Sequence, residues 1–236
     1  MSEASLQSKL IAEAIGVFAL TFIGAGSIIM GGDLITVALA HGVVLSIVVS
    51  ATMNVSGGHI NPAVTISMMA VKKMDNDTGM KYIVAQLAGG LIAGAMLIAL
   101  VENTGFAFAA AEGLGTPTPG VDVGWQGVLM VEFILTFLLL FAIWGTAVDP
   151  RAPAIAGWGI GMMVTVDIMM GGPLTGAAMN PARHLGTAVF AGSEYVKEFW
   201  MYLVGPLAGA MTCSFLYDSM IMAPEHEDAK LEDHDA

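Results

Sequence analysis

The chain has 236 residues, of which 56% are hydrophobic and 12% charged. A soluble domain carries roughly 25% charged residues, so the composition excludes one. The net charge of -12 identifies no partner, because much of it lies in a run from Glu225 to Asp235 that reads as a solvated acidic tail, and nothing is basic enough to hold nucleic acid.

In chain order, the first apolar run predicts a membrane span from Ser8 to Met30, long enough to persist as a span rather than a cleaved signal. Gly31-Gly32-Asp33 makes a turn, and the second span covers Ile35 to Val55. Ser56-Gly57-Gly58-His59-Ile60-Asn61-Pro62-Ala63 follows. Asn is a good helix N-cap and Pro is favoured at the first helical position, so a helix starts at Pro62. It runs to Val71, too short to cross. Lys72 to Asp77 form a polar loop, the third span is Gly79 to Val101, and a connector runs from Glu102 to Gly124. The fourth span, Trp125 to Val148, ends at Asp149-Pro150-Arg151. The fifth covers Ala154 to Met170. Gly171 to Gly176 leads to a second Asn180-Pro181-Ala182, a second short helix from Pro181 to Phe190, and a sixth span from Tyr195 to Ile221. Cys213 is the only cysteine, so no internal disulfide forms.

The predicted fold is all-α and membrane-embedded, with six transmembrane helices plus two re-entrant half-helices. Residues 1–222 make a single domain of two repeats, 8–103 and 125–221, followed by the tail at 223–236. Asn61 follows Glu13 by 48 residues, and Asn180 follows Glu132 by 48. Three crossings separate the repeats, which inverts the second copy, and inverted repeats with broken helices place their site at the bilayer midplane. Lys9, Lys72, Lys73, Lys81, Arg151 and Lys230 fall on one side and Lys197 on the other, so both termini are expected in the cytoplasm.

Irregular backbone at bilayer depth persists only where it is buried or lines a wet cavity. The N-terminal ends of the two short helices carry about half a positive charge each, and Asn61 and Asn180 can each offer an amide donor to a lumen. Such a file orients passing water by its oxygen and repels cations and protons. That is a passive pore for small neutral molecules. No nucleophile–base set or paired carboxylates suggest an enzyme, and no cofactor or metal is implied. Met68, Met69, Met162 and Met163 read as adaptable packing. Glu13 and Glu132 lie inside spans, where a carboxylate is costly unless paired. Gly90/Gly94, Gly157/Gly161 and Gly205/Gly209 have the spacing of close helix crossings. A secondary transporter also uses broken helices, but its coupling residues would have to come from Asn61, Asn180 and their neighbours.

From Lys9 to Asp218 the chain resembles the major intrinsic proteins, the aquaporin and glycerol-facilitator family. The resemblance is carried by His59-Ile60-Asn61-Pro62-Ala63-Val64-Thr65, by Met179-Asn180-Pro181-Ala182-Arg183, and by the two Glu residues. It implies a homotetramer with one pore per subunit, passing water and small neutral solutes through a lipid bilayer. It also implies that Glu13, Glu132 and His59 support the re-entrant loops. By the same resemblance the outer selectivity filter falls on His41, Ile168, Ala177 and Arg183. This set is similar to the gate of plant tonoplast intrinsic proteins, as are Ala40-His41 and Ala147-Val148-Asp149-Pro150. Gly172-Pro173-Leu174-Thr175-Gly176 and Met179-Asn180 resemble glycerol facilitators and archaeal channels as well. The resemblance therefore implies a water channel that also passes ammonia or urea, with a glycerol-passing channel as the alternative; the short loops and archaeal-like segments point to a plasma membrane, with a vacuolar membrane as the alternative. Ile168 and Ala177 would make one wall of the filter apolar, and His41 and Arg183 would leave donors on the other. His184 and Leu203 depart from the water-channel pattern. Asp167 is turned about 100° from Ile168, toward a bond with backbone rather than the lumen.

Overall fold

The computed structural model describes residues 4–104 and 113–222. The acidic tail expected at 223–236 and part of the expected connector lie outside the described residues.

The fold is all-α and multi-span. Helix α1 (Leu6–Ile29) is capped by Ser5, whose hydroxyl accepts from Ser8 N. Helix α2 (Leu34–Ser56) is capped by Asp33 and ends at the left-handed Gly57. The short α3 (Pro62–Ala70) and α7 (Pro181–Ala191) begin at Asn61 and Asn180 with Pro in the first turn. Between them lie α4 (Asn76–Thr104), α5 (Trp125–Ile143) and α6 (Ala156–Thr175); α8 (Ser193–Leu216) closes the bundle. Five helical segments are long and apolar enough to cross a membrane: Leu6–Ile29, Leu34–Ser56, Asn76–Thr104, Trp125–Val148 and Ser193–Ile221.

Two boundaries, the start of α4 and the end of α6, differ from the sequence reading for reasons visible in the hydrogen bonds. Helix α4 starts inside the expected polar loop because the Asp75 carboxylate caps it, accepting from Thr78 N at 2.9 Å. Helix α6 runs past Met170 and through Pro173 to Thr175. Its last turn is held by Gly120 N donating to Leu174 O at 2.8 Å, and it stops at the left-handed Gly176. Helices α5 and α8 each finish in a π turn, Trp144–Val148 and Tyr217–Ile221. The two turns interlock: the Trp144 and Tyr217 rings stack at 5.4 Å, and Trp144 Nε1 donates to Ser214 Oγ at 3.0 Å.

Helix pairing repeats between the halves. Helix α1 packs on α2 and α4 as α5 packs on α6 and α8, and α2 meets α6 at the seam. Each short helix packs on the last long helix of the other half, α3 on α8 and α7 on α4. The small residues flagged in the sequence sit at these crossings. A Cβ on Gly94 would collide with the Gly186 carbonyl, one on Gly161 with Gly42, and one on Gly209 with Phe133. Beyond the π turn of α5, Asp149 takes the Arg151 guanidinium side-on, from Nε at 2.9 Å and Nη2 at 2.7 Å.

Two predictions follow from this packing. The atom nearest a Cβ on Gly94 is the Gly186 backbone oxygen, which cannot rotate away, so Gly94→Leu exceeds the usual overpacking penalty of about 1–3 kcal/mol; size-exclusion chromatography should show loss of monodisperse protein. The Arg151 hydrogen bonds hold the Asp149 carboxyl well below the usual carboxylate range. A depressed folded value adds stability above the unfolded value of about 4 and loses it as pH falls toward the folded one. Asp149→Asn should therefore lower the unfolding temperature at neutral pH, and the gap from wild type should close in acid.

Candidate functional site

The two short helices meet head to head, and buried carboxylates from the long helices hold the loops that deliver them. Glu13 of α1 is fully buried. Its Oε1 accepts from Ser56 Oγ at 2.6 Å and His59 N at 3.0 Å, and its Oε2 from Ile60 N at 2.6 Å and Gln86 Nε2 at 2.7 Å. Glu132 of α5 repeats the pattern, accepting from Thr175 Oγ1 at 2.7 Å, Ala178 N at 2.9 Å and Met179 N at 2.7 Å. Glu13 and Glu132, Ser56 and Thr175, Ile60 and Met179, and Asn61 and Asn180 all stand 119 residues apart.

These bonds hold backbone that L-residues rarely adopt. Ile60 has φ 54° and Met179 φ 52°, left-handed values that are genuine outliers for a β-branched or bulky side chain. The conformation lets the loops cross-link: Asn61 Nδ2 donates to Met179 O at 2.9 Å, and Asn180 Nδ2 donates to Ile60 O at 2.8 Å. Each Asn side-chain oxygen caps its own helix, Asn61 Oδ1 taking Ala63 N at 2.9 Å and Asn180 Oδ1 taking Ala182 N at 3.0 Å. An amide has two N–H groups, so each Asn keeps one N–H beyond its cross-link. Both Asn residues line a central cavity.

That cavity also gathers His41, Ile168, Ala177 and Arg183, the four positions assigned to the filter, together with His59. Its free volume of about 30 Å³ is room for roughly two waters at about 10–15 Å³ each. It shares Val49, His59 and Ile160 with a wider space of about 350 Å³ on the α3 side. Ile168 joins it to another of about 350 Å³ bounded by Thr116 to Gly120 of the connector. The lumen is thus a constriction between two wider mouths. No Phe, Trp or Tyr lines the constriction among the described residues.

Arg183 Nη2 lies 3.2 Å from His41 Nε2, and His41 Nδ1 lies 2.8 Å from Val37 O. Guanidinium can only donate and a carbonyl only accept, so the ring bears its proton on Nδ1 and receives Arg183 on Nε2. This corrects the expectation that His41 leaves a donor on the wall: its one N–H is spent on Val37. Beside this pair Arg183 Nη1 is buried and without a protein partner. A Cβ on Gly24 would collide with the His41 ring, with Cε1 2.7 Å away, so α1 makes room for that ring.

Other expected residues fall outside the lumen. His184 is buried with its ring stacked on Tyr202 at 4.1 Å. Leu203 is half-buried away from the cavity. Asp167 avoids the lumen as expected, but makes no backbone bond: its Oδ2 is buried without a partner. His59 braces its loop through Thr65 Oγ1 at 3.2 Å. Tyr82 and Tyr202, which sequence reading passed over, donate at 2.8 Å to Ser56 O and Thr175 O respectively; their near-repeat spacing was the available signal. Among the described residues no three His, Cys, Asp or Glu side chains converge to hold a metal ion.

A family model described as Major intrinsic protein matches residues 1–217. The chain is 39% identical to Aquaporin TIP4-4 of Zea mays over 252 residues, covering 99% of this chain and 95% of that one. It is 36% identical to Aquaporin AqpM of Methanothermobacter thermautotrophicus over 241 residues, covering 90% and 97%. The X-ray structure of the aquaglyceroporin from Plasmodium falciparum superposes with a TM-score of 0.85 at 25% identity, covering 93% of this chain and 98% of that one.

A buried donor left without its acceptor costs about 1–3 kcal/mol. Glu13→Leu strands four donors and Glu132→Leu three, so thermal unfolding in detergent should rank Glu13→Leu as the more damaging. Glu13→Gln and Glu132→Gln, which keep one acceptor oxygen, should be milder than either.

Proposed function

The chain belongs to the major intrinsic protein family, and from that premise we propose that its pore passes water, together with ammonia or urea, while holding back glycerol, protons and ions. Family membership makes it a passive multi-pass membrane channel for small solutes, mainly water, and not an enzyme. The observation that carries the finer reading is the constriction itself, where Arg183 engages His41 at 3.2 Å opposite the apolar Ile168 and Ala177. A free guanidinium N–H offers a hydrogen bond to a single small polar solute. An apolar wall without aromatic rings gives the carbon chain of glycerol no surface to stack on. The buried positive charge of Arg183 and the N-terminal ends of α3 and α7 disfavour cations at the narrowest point.

In this reading Asn61-Pro62-Ala63 and Asn180-Pro181-Ala182 form the two pore motifs, His41, Ile168, Ala177 and Arg183 the filter, and Glu13, Glu132 and His59 the loop supports. Helix α6 is the sixth span: its 20 residues reach about 30 Å, the thickness of a bilayer core. With α3 and α7 entering from opposite faces, 1–222 forms one channel domain of inverted repeats. The apolar side chains exposed around the bundle, among them Ile15, Ile47 and Val84, suit lipid and the neighbouring subunits of a homotetramer. The skewed Lys and Arg placement supports both termini in the cytoplasm, and the short loops suit a plasma-membrane protein.

Stopped-flow light scattering on proteoliposomes tests the permeant ranking. Water and urea flux should exceed glycerol flux, an internal pH dye should report ammonia entry, and Arg183→Ala should raise glycerol flux. Glycerol passing wild type as fast as urea would refute the filter reading. Protonating His41 removes the lone pair that receives Arg183, so water flux should fall in acid and His41→Ala should abolish that fall.

A further inference from the structure

Helices α1 and α4 cross where Gly89 abuts Ala14: a Cβ on Gly89 would collide with the Ala14 carbonyl. Beside that crossing, toward the starts of both helices, an open cleft of about 370 Å³ runs along the outside of the bundle. Leu10 of α1 forms one wall, and Met80, Val84 and Ala88 of α4 follow one another at four-residue spacing along the other. Residues four apart share a helix face, and this face is open, with Met80 55% and Val84 65% exposed. Asp77 and Lys81 close the row at its polar end, joined in an ion pair. The cleft shares no lining residue with the lumen or its two mouths.

Both helices are long and apolar enough to cross a membrane, so a lipid chain lies in this cleft unless a second copy of the protein covers it. From Asp77 to Ala88 the row rises about 16 Å along the helix axis, close to half of a hydrocarbon core of about 30 Å. That is the depth of one leaflet, with the ion pair at the headgroup end. The pair narrows the choice of headgroup. An ammonium has three N–H donors, so Lys81 keeps donors for a phosphate beyond the one it gives to Asp77. The Asp77 carboxylate can only accept. It repels a headgroup that is solely anionic, it takes a hydrogen bond from a primary ammonium, and it takes none from a quaternary one. The two residues thus present both signs one helical turn apart, which complements a headgroup carrying a phosphate and a primary ammonium.

We propose that the α1–α4 cleft is a binding site for one phospholipid of the ethanolamine type. Lys81 holds its phosphate, Asp77 its ammonium, and one acyl chain runs past Met80 and Val84 to Ala88 with Leu10 on the other side. The site rests on the membrane placement of α1 and α4 and not on the reading of the filter.

Native mass spectrometry of the full-length protein in detergent tests it, with phosphatidylethanolamine, phosphatidylcholine and phosphatidylglycerol of identical chains supplied at equal concentration. Wild type should retain one ethanolamine lipid per subunit in preference to the other two. Lys81→Ala should lose that preference, and Asp77→Ala should let phosphatidylglycerol bind as well as the ethanolamine lipid. Ala88→Phe, which fills the cleft, should lose the retained lipid while keeping the oligomeric state. Glycerophosphoethanolamine, a headgroup without chains, should not displace the bound lipid. Equal retention of the three lipids by wild type, or a preference that survives Lys81→Ala, would overturn the proposal. So would a change of oligomeric state in Ala88→Phe, which would mark the cleft as a contact between copies of the chain. Water flux in proteoliposomes is read separately: all three variants should keep it, and a protein that retains the lipid but conducts no water would refute the pore reading alone.

Discussion

The structure depends on two carboxylates buried in helices. A carboxyl group inside an apolar bundle is unfavourable unless donors converge on it, and each long helix that carries one finds those donors in a loop that has no other partner for its N–H groups. Glu13 and Glu132 thus solve two problems at once: the loops satisfy the carboxylates, and the carboxylates hold the loops in left-handed conformations at Ile60 and Met179. With the N–H groups of those loops turned to the carboxylates, the Ile60 and Met179 carbonyls are left to receive the Asn side chain of the opposite half. The joining of two short helices follows from that geometry and needs no further device.

Close packing serves the same end. Short helices can meet only if the long helices approach closely enough to enclose them, and the glycines at the α4–α7, α2–α6 and α5–α8 crossings permit this. Gly24 performs a related service at the constriction, where any side chain would displace the His41 ring and with it the partner of Arg183. The neutral Nδ1–H form of His41 follows from its two neighbours, one that can only accept and one that can only donate. Beside that pair Arg183 Nη1 is left without a protein partner.

Much of this was legible in the sequence because the determinants are local or repeated. Asn-Pro favours a helix start, and its recurrence at equal distance from Glu13 and Glu132 marked both loops. The resemblance placed His41, Ile168, Ala177 and Arg183, which the structure gathers around one constriction. What was not legible depends on three-dimensional accounting. That His41 spends its N–H on Val37 is set by a helical turn's geometry and by Arg183 arriving 142 residues later. The continuation of α6 through Pro173 depends on the connector bonding Leu174 O, a contact remote in sequence. The π turns of α5 and α8 bring Trp144 and Tyr217 into a stack across the two halves, and Asp167 looked like a backbone-bonding residue because nothing in the sequence shows that no donor reaches it.

The central claim is that the braced loops enclose a continuous file through which solutes move without a conformational cycle. The temperature dependence of water flux through reconstituted protein tests this most directly. A pore of this kind should show an activation energy close to that of bulk water flow, with flux linear in the osmotic gradient. A steep activation energy with saturation would contradict the account and would point to a carrier that must rearrange for each passage.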